Sequence, residues 1–321
     1  MKYITVLDTG YKDYHYEEKL LGKLGYELVV NGEDKFDHEH KIELTRKSVG
    51  IFIRWTEIDK EFLEACPNLK FIVRYGTGYD NISLEECRKR DVKVCNVTGY
   101  AKNAVSDHAL ALMFACTRDL FNGRNTFSST YCEPPDYALF DIHASTLGIL
   151  GLGKIGGTLA AKSVNLFKKV VAYDPYIDDS RFTSLGVEKV TFEQLLKESD
   201  VLSIHCNLTD ITRRMINARA LQAMKPGSVL INTARGPVVD NAELLRAIEE
   251  KKLWRAGLDV FDSENPAEID KTLLNHPRII STGHYAWYST GSHRELQEMA
   301  ARNMADLLVG KEPEDCLTCR M

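Results

Sequence analysis

The chain has 321 residues, 44% of them hydrophobic, a length and apolar content that favour two ordinary cores over one. Its net charge of −5 comes from interspersed acidic and basic residues without a long basic block, so neither a nucleic acid nor a membrane surface has an electrostatic footprint here. No stretch approaches the roughly 18 apolar residues of a membrane span, and "MKYITVLD" begins as a strand rather than a secretion signal, so a cytoplasmic protein with small-molecule chemistry is expected.

From the N-terminus, short apolar runs alternate with amphipathic stretches: "YITVL", "YEEKLLGKLG", "YELVV", "GIFIRW", "EIDKEFLEAC", "KFIVRY", "SLEECRKR" and "VKVCNV". That rhythm predicts parallel strands joined by crossover helices. A long helix is expected over about 103–127, where Val105, Leu110, Leu112, Met113 and Phe114 offer more apolar surface than one core needs, which suits a domain link or a partner subunit. After "YCEPPDYALFD" the alternation restarts with "TLGILGLG", "IGGTLAAKSVNLF", "KVVAYD", "TFEQLLKES", "VLSIHC", "SVLINTA", "AELLRAIEEKKL", "AGLDVF" and "RIISTGH". The expected class is therefore α/β with two doubly wound parallel sheets. The last segment, "HRELQEMAARNMADLLVG", has Leu296, Met299, Ala300, Met304 and Leu307 near helical spacing and should pack on a core.

Eight cysteines (66, 87, 95, 116, 132, 206, 316 and 319) are irregularly spaced, several within apolar runs, which suits reduced buried thiols. The close pair Cys316 and Cys319 has no second pair or histidine at zinc spacing, so it is expected to be two thiols on a tail, and no metal site is expected.

"TLGILGLGKIGGTLAA" sets Gly151, Gly153 and Gly156 as G-x-G-x-x-G between an apolar strand and a small-residue helix, with Lys154 and Ile155 opening the helix. The first glycine permits a tight turn, the second the approach of a pyrophosphate, the third close helix packing, and the helix N-terminus faces the phosphate charge. Lys154 is followed by Ile155 rather than Ser or Thr, which argues against a phosphate-binding NTPase loop. Downstream, "KVVAYD" ends on Asp174, a carboxylate able to accept from ribose hydroxyls and to repel a 2′-phosphate, favouring NAD over NADP. The alternative for Asp174 is a turn residue ahead of Pro175.

Four successive strands end on polar residues: "SIHCNLT" on His205 and Thr209, "LINTAR" on Arg235, "AGLDVFDSE" on Asp259 and Glu264, and "IISTGH" on His284. Ligands of open parallel sheets bind beyond the carboxyl ends of the strands, so these residues are expected to share one crevice. Singly, His205 could be a satisfied strand-end histidine and Glu264 a solvated loop carboxylate.

With "GLGKIG", "NTARGPVVD", "GLDVFDSE" and "GHYAWYS", together with "VRYGTGYDNISLEE" and "VCNV", the chain resembles the D-isomer-specific 2-hydroxyacid dehydrogenases, within them the branch that includes the C-terminal binding proteins. The resemblance spans nearly the whole chain. It implies a catalytic trio of Arg235, Glu264 and His284: a planar guanidinium clamping the carboxylate and polarising the carbonyl of a 2-oxo acid, and an imidazole acid/base oriented by a carboxylate. It also implies that the Gly76-Thr77-Gly78 backbone binds the substrate carboxylate, and that Thr233, Ala234, Arg235 and Asp259 contact the nicotinamide. Thr209, with the neighbouring His205 and Cys206, would lie along the cofactor. By the same analogy, residues 1–100 and 291–321 form a flavodoxin-like substrate domain that closes on a Rossmann NAD-binding domain of 101–290, and two chains pair as a homodimer.

The chain departs from the family pattern at Thr98, where proline is common and whose presence should loosen the loop, at Asn207, also a usual proline, and at Asn265, which separates Glu264 from Pro266. Arg74, Tyr75, Tyr100 and Trp287 are candidates to line the substrate cleft, with Arg54, Tyr79 and Tyr285 behind them; the alternatives are that Tyr75 and Trp55 pack and that Arg54 pairs with Glu57. A second function from another class is a dinucleotide-sensing scaffold that binds protein partners.

Overall fold

The computed structural model describes residues 2–32, 38–121, 139–263, 265 and 267–318. It divides into two compact units, Met1–Tyr100 with Ser289–Met321, and Ala101–Tyr288.

In the first unit, β1 (Lys2–Val6), β2 (Tyr26–Val30), β3 (Ser48–Ile53), β4 (Phe71–Arg74) and β5 (Lys93–Cys95) pair in parallel in the order β2-β1-β3-β4-β5. That is the flavodoxin-like order, with the chain crossing β1 early. The strands are nearly continuous apolar runs because helices cover both faces; Ile4, Val6, Ile51, Phe52, Ile72 and Val73 are fully buried. The helix His38–Arg46, which the alternation did not disclose, buries only Ile42 and Thr45 and so carries little apolar signal. The C-terminal helix Thr290–Leu308 begins at a Ser289 capping box and packs on β4 and on the helix His15–Gly22 through Leu296, Ala300, Met304 and Leu307.

Beyond that helix the tail returns to the sheet edge, where the Cys316 backbone forms a single antiparallel β-bridge with that of Cys95 and the Leu317 N–H donates to the Val94 carbonyl at 2.7 Å. Cys316 is disulfide-bonded, which corrects the expectation of thiols throughout. Docking of the tail buries Cys316 almost completely and so fixes its geometry, which spacing alone did not signal. Cys66, Cys87, Cys95, Cys116 and Cys206 are free. Thr98 does not loosen its loop: its N–H and hydroxyl donate to the Asp315 carboxylate at 3.1 and 2.5 Å, contacts a proline could not make through nitrogen.

The second unit has β6 (Thr146–Leu150), β7 (Lys169–Tyr173), β8 (Glu188–Lys189), β9 (Val201–Ile204), β10 (Ser228–Asn232), β11 (Leu253–Leu258) and β12 (Ile279–Ser281), all parallel, in the order β12-β11-β10-β9-β6-β7-β8. This is the Rossmann order extended by one strand, and its direction of winding reverses between β6 and β9, the place where such sheets take their ligands. The long apolar helix runs Lys102–Thr117 and packs on the helix Lys154–Ser163 and on β10 and β11, burying Val105, Ala109, Leu112, Met113 and Cys116. It ends at Thr117, where Asp119 takes a positive φ of 50° and turns its carboxylate onto Arg255 at 2.5 Å, an ion pair in which both side chains are buried; the expected end near 127 falls outside the described residues. Residues 122–138 lie outside those described. Three short helices, Asp179–Leu185, Ala218–Ala223 and Lys271–Asn275, also escaped the sequence pattern, each too brief to show a period.

Candidate active site

At the carboxyl end of β6, Gly151 adopts φ +93°, and a Cβ there would stand 2.7 Å from the Cys206 nitrogen. A Cβ on Gly156 would meet the Gly151 carbonyl at 2.0 Å, so the helix can seat on the turn only without a side chain. Gly153 differs: a Cβ there would meet nothing within 4 Å, and this open position lies at the N-cap of the helix Lys154–Ser163, where a phosphate would sit. Lys154 is exposed and Ile155 half-buried beside it. Asp174, one residue past β7, accepts the Leu152 N–H at 2.8 Å and the Tyr176 N–H at 3.0 Å. It therefore braces the glycine turn while each carboxylate oxygen keeps a lone pair for a ribose hydroxyl.

β9, β10, β11 and β12 are consecutive neighbours, so their carboxyl ends form one continuous edge. His205 directly follows β9 and shares a hydrogen bond with Ser203 Oγ at 2.8 Å; burial pushes its pKa down to about 4, so the imidazole is neutral. Among the described residues, His205 Nδ1 and Thr233 Oγ1 are buried polar atoms without a hydrogen-bond partner. Both stand at this edge, where a bound dinucleotide would satisfy them. Cys206 beside them is a free thiol that burial pushes up to about 11, and Thr209 lies in an exposed loop gathered by Thr212, whose hydroxyl donates to the Asn207 carbonyl at 2.6 Å.

The turn after β10 is built by Asn232. Its side-chain amide donates to the Arg235 carbonyl at 3.0 Å and its oxygen accepts the Ala234 N–H at 3.0 Å, which sets Arg235 at the strand end. Asp259, just past β11, is only 1% exposed. Its carboxylate accepts the Thr282 hydroxyl at 2.5 Å and the N–H groups of Tyr285 and Ala286 at 3.2 and 2.9 Å, so it faces into the protein and shapes the turn carrying His284. His284 hangs from that turn with its N–H on the Asp259 carbonyl at 2.8 Å and a positive φ of 54°. A non-glycine residue held in the left-handed region is strained, and strain of this kind gathers at functional positions. Trp287 closes the turn by donating its indole N–H to the His284 carbonyl at 3.0 Å. The expected carboxylate partner, Glu264, lies outside the described residues.

Asp259→Asn should therefore act twice. An amide cannot accept from three donors as a carboxylate does, so stability should fall by about 2–4 kcal/mol, and kcat should fall because the His284 turn loses its anchor. Calorimetry with steady-state kinetics checks both; a variant of unchanged melting temperature and kcat would remove this role for Asp259.

In the first unit, Gly76 follows β4 at φ +141°, where a Cβ would strike the Arg74 guanidinium at 1.7 Å. The Gly76 carbonyl accepts the Val97 N–H at 3.0 Å, the Thr77 carbonyl accepts the Asn96 amide at 2.6 Å, and the Thr77 hydroxyl donates to the Val97 carbonyl at 2.9 Å. Among the described residues, the N–H groups of Thr77 and Gly78 are left without a partner. Tyr75 does not line a cleft: it is 2% exposed, its hydroxyl turned inward onto Glu17. Tyr100 is also buried, Trp55 is exposed, and Arg54 lies over the rings of Tyr11 and Trp55.

A Rossmann sheet with a glycine turn shaped for a pyrophosphate, and an arginine and a histidine on flanking strand ends, defines a dinucleotide-dependent oxidoreductase. Residues 110–286 match the model of the D-isomer specific 2-hydroxyacid dehydrogenase NAD-binding domain. The chain is 36% identical to a glyoxylate reductase of Thermococcus litoralis over 80% of its own length and 79% of the relative's. It is 34% identical to a hydroxypyruvate reductase of Thermotoga maritima, over 86% of its length and 92% of that protein's. The structure of a D-lactate dehydrogenase from Aquifex aeolicus complexed with NAD and lactic acid superposes with a TM-score of 0.88 at 25% identity, covering 99% of both chains. The chain belongs to the D-isomer-specific 2-hydroxyacid dehydrogenase family, and it is an NAD-dependent oxidoreductase acting on CH–OH.

Among the described residues, no helix is long and apolar enough to cross a membrane and no cluster of side chains could hold a metal ion.

Proposed function

We propose that the enzyme interconverts a short-chain 2-oxo acid and its D-2-hydroxy acid, with Arg235, Glu264 and His284 as the catalytic residues. The observation that carries this reading is the placement of Arg235 and His284 beyond the carboxyl ends of β10 and β12, on either side of the Asp259 anchor past β11. Bound NADH supplies the hydride. Arg235 holds the substrate carboxylate and polarises the ketone oxygen, which accumulates negative charge as the carbon is reduced. His284, as imidazolium, donates its proton to that oxygen, and in the reverse direction takes it back. Glu264 orients the ring and favours its charged form. The free Thr77 and Gly78 N–H groups support a second anchor for the carboxylate, and Gly151, Gly153, Gly156 and Asp174, with the orphaned Thr233 and His205 atoms, support the cofactor path.

The reductase and dehydrogenase relatives support an enzyme over a sensing scaffold. We further assign it to the cytoplasm and to a homodimer: the exposed Leu120 and Phe121, 58% and 60% accessible just beyond the turn that ends the long helix, form an apolar pair that a second copy would cover.

Glyoxylate, hydroxypyruvate and pyruvate are the substrates to test first, by the loss of NADH absorbance. Turnover with at least one is expected, with NADH preferred over NADPH by about tenfold or more in kcat/KM, the ratio that about 1.4 kcal/mol of repulsion between Asp174 and a 2′-phosphate produces. Asp174→Ala should narrow that preference. Tight NADH binding without turnover of any 2-oxo acid would defeat the enzymatic reading, and equal use of both cofactors would defeat the role of Asp174.

A further inference from the structure

Glu17 sits on the helix His15–Gly22, completely buried, and forms no ion pair among the described residues. Its two oxygens instead accept from neutral donors: the Tyr75 hydroxyl at 2.8 Å and the Gln297 side-chain amide at 3.0 Å, Gln297 also donating to the Asp13 carbonyl at 2.9 Å. Burial, only partly offset by these donors, pushes the carboxyl up to about 7. A buried carboxyl without a cation is an expensive way to fill space, since an apolar side chain of similar volume would serve packing better. Its presence points to something other than packing.

What the carboxyl holds is Tyr75. The ring is stacked on Phe52 with centroids 5.1 Å apart and meets the edge of Tyr11 at 5.1 Å, so rotation is confined and the hydroxyl has one acceptor. The backbone passes from Tyr75 directly into Gly76 and the unpartnered N–H groups of Thr77 and Gly78. The other side of the turn is pinned by Val97 and Asn96, and the near side by the Tyr75 and Gly76 N–H groups on the Ile53 and Arg74 carbonyls at 2.8 and 2.9 Å together with the held Tyr75 ring.

We propose that Glu17 is a positioning residue for substrate carboxylate recognition, acting through the Tyr75 hydroxyl to hold the Gly76–Gly78 backbone in its binding conformation. The inference rests on the reading of that turn as a carboxylate anchor. It assigns a function to a residue that lies 58 positions from Tyr75 in the chain and never touches substrate.

The probe is oxamate, an unreactive analogue of a 2-oxo acid, titrated into the full-length enzyme saturated with NADH, with binding read from nicotinamide fluorescence. Glu17→Leu and Tyr75→Phe should each raise the Kd of oxamate about tenfold, the ratio that loss of one hydrogen bond to a charged group produces. The Kd of NADH should not change. Glu17→Gln, which keeps an acceptor for Tyr75, should stay within about threefold of the parent. Glu17→Leu should melt at or above the parent temperature, which separates positioning from a structural role; if it fails to fold, Tyr75→Phe and Glu17→Gln carry the test. Gly76→Ala tests the turn itself and should weaken oxamate in every case. If it does so while Glu17→Leu and Tyr75→Phe bind normally, the coupling is wrong and the anchor stands; if Gly76→Ala also binds normally, the anchor is wrong and the coupling falls with it. Equal weakening in Glu17→Gln and Glu17→Leu, with lowered melting temperatures in both, would reduce Glu17 to a structural residue.

Discussion

Replacing Arg235 with alanine should lower kcat/KM for the 2-oxo acid by about 10³- to 10⁴-fold, with KM rising and kcat falling together. In the proposed role the guanidinium would make two contacts at once, to the carboxylate and to the ketone oxygen, and each hydrogen bond to a charged group is worth roughly 1.5–3 kcal/mol. The first contact exists in the ground state and appears in KM; the second strengthens as the oxygen becomes an alkoxide and appears in kcat. Arg235→Lys should recover at most about tenfold, because an ammonium cannot make the planar two-point contact. The Asn232 hydrogen bonds that build this turn use backbone atoms of Ala234 and Arg235, so the substitution should leave the turn in place. A kcat/KM within tenfold of the parent in Arg235→Ala would rule the arginine out as the substrate clamp.

The second large effect belongs to His284. Its φ of +54° makes Asn the better replacement, because asparagine tolerates the left-handed region and the Asp259 and Trp287 contacts can persist through the backbone. His284→Asn should reduce kcat by about 10²- to 10⁴-fold through loss of proton transfer, with the Kd of NADH nearly unchanged. Glu264→Gln tests the same step from the other side. A carboxylate beside the imidazole raises its pKa, so removing that charge lowers it; reduction of a 2-oxo acid needs the protonated ring, and its high-pH limit should therefore move to lower pH. The same pH profile in parent and Glu264→Gln would show that the glutamate is not the partner of His284.

Both sheets, and the place where the cofactor turn falls, were legible in the sequence, because buried parallel strands are short uninterrupted apolar runs and the glycine spacing is dictated locally. A Cβ at Gly156 collides with the Gly151 carbonyl five residues back, so that requirement is written locally, whereas a Cβ at Gly151 meets Cys206, brought there only by the pairing of β6 with β9. The edge shared by His205, Arg235, Asp259 and His284 was legible for a related reason: parallel strands with helical crossovers put every carboxyl end on one side. What a side chain at such an edge faces is another matter. Asp259 and Tyr75 stand at strand ends as a ligand-binding residue would, yet both turn inward, one onto the His284 turn and the other onto Glu17. Their partners come from distant segments, brought close only when the strand order and the docking of the flanking helices are complete. Cys316 belongs with them, since its burial against β5 follows from the return of the tail to the sheet edge. Local periodicity determines which elements form and which face each one hides; the balance of burial and hydrogen bonding that decides where a polar side chain turns is settled only by tertiary packing.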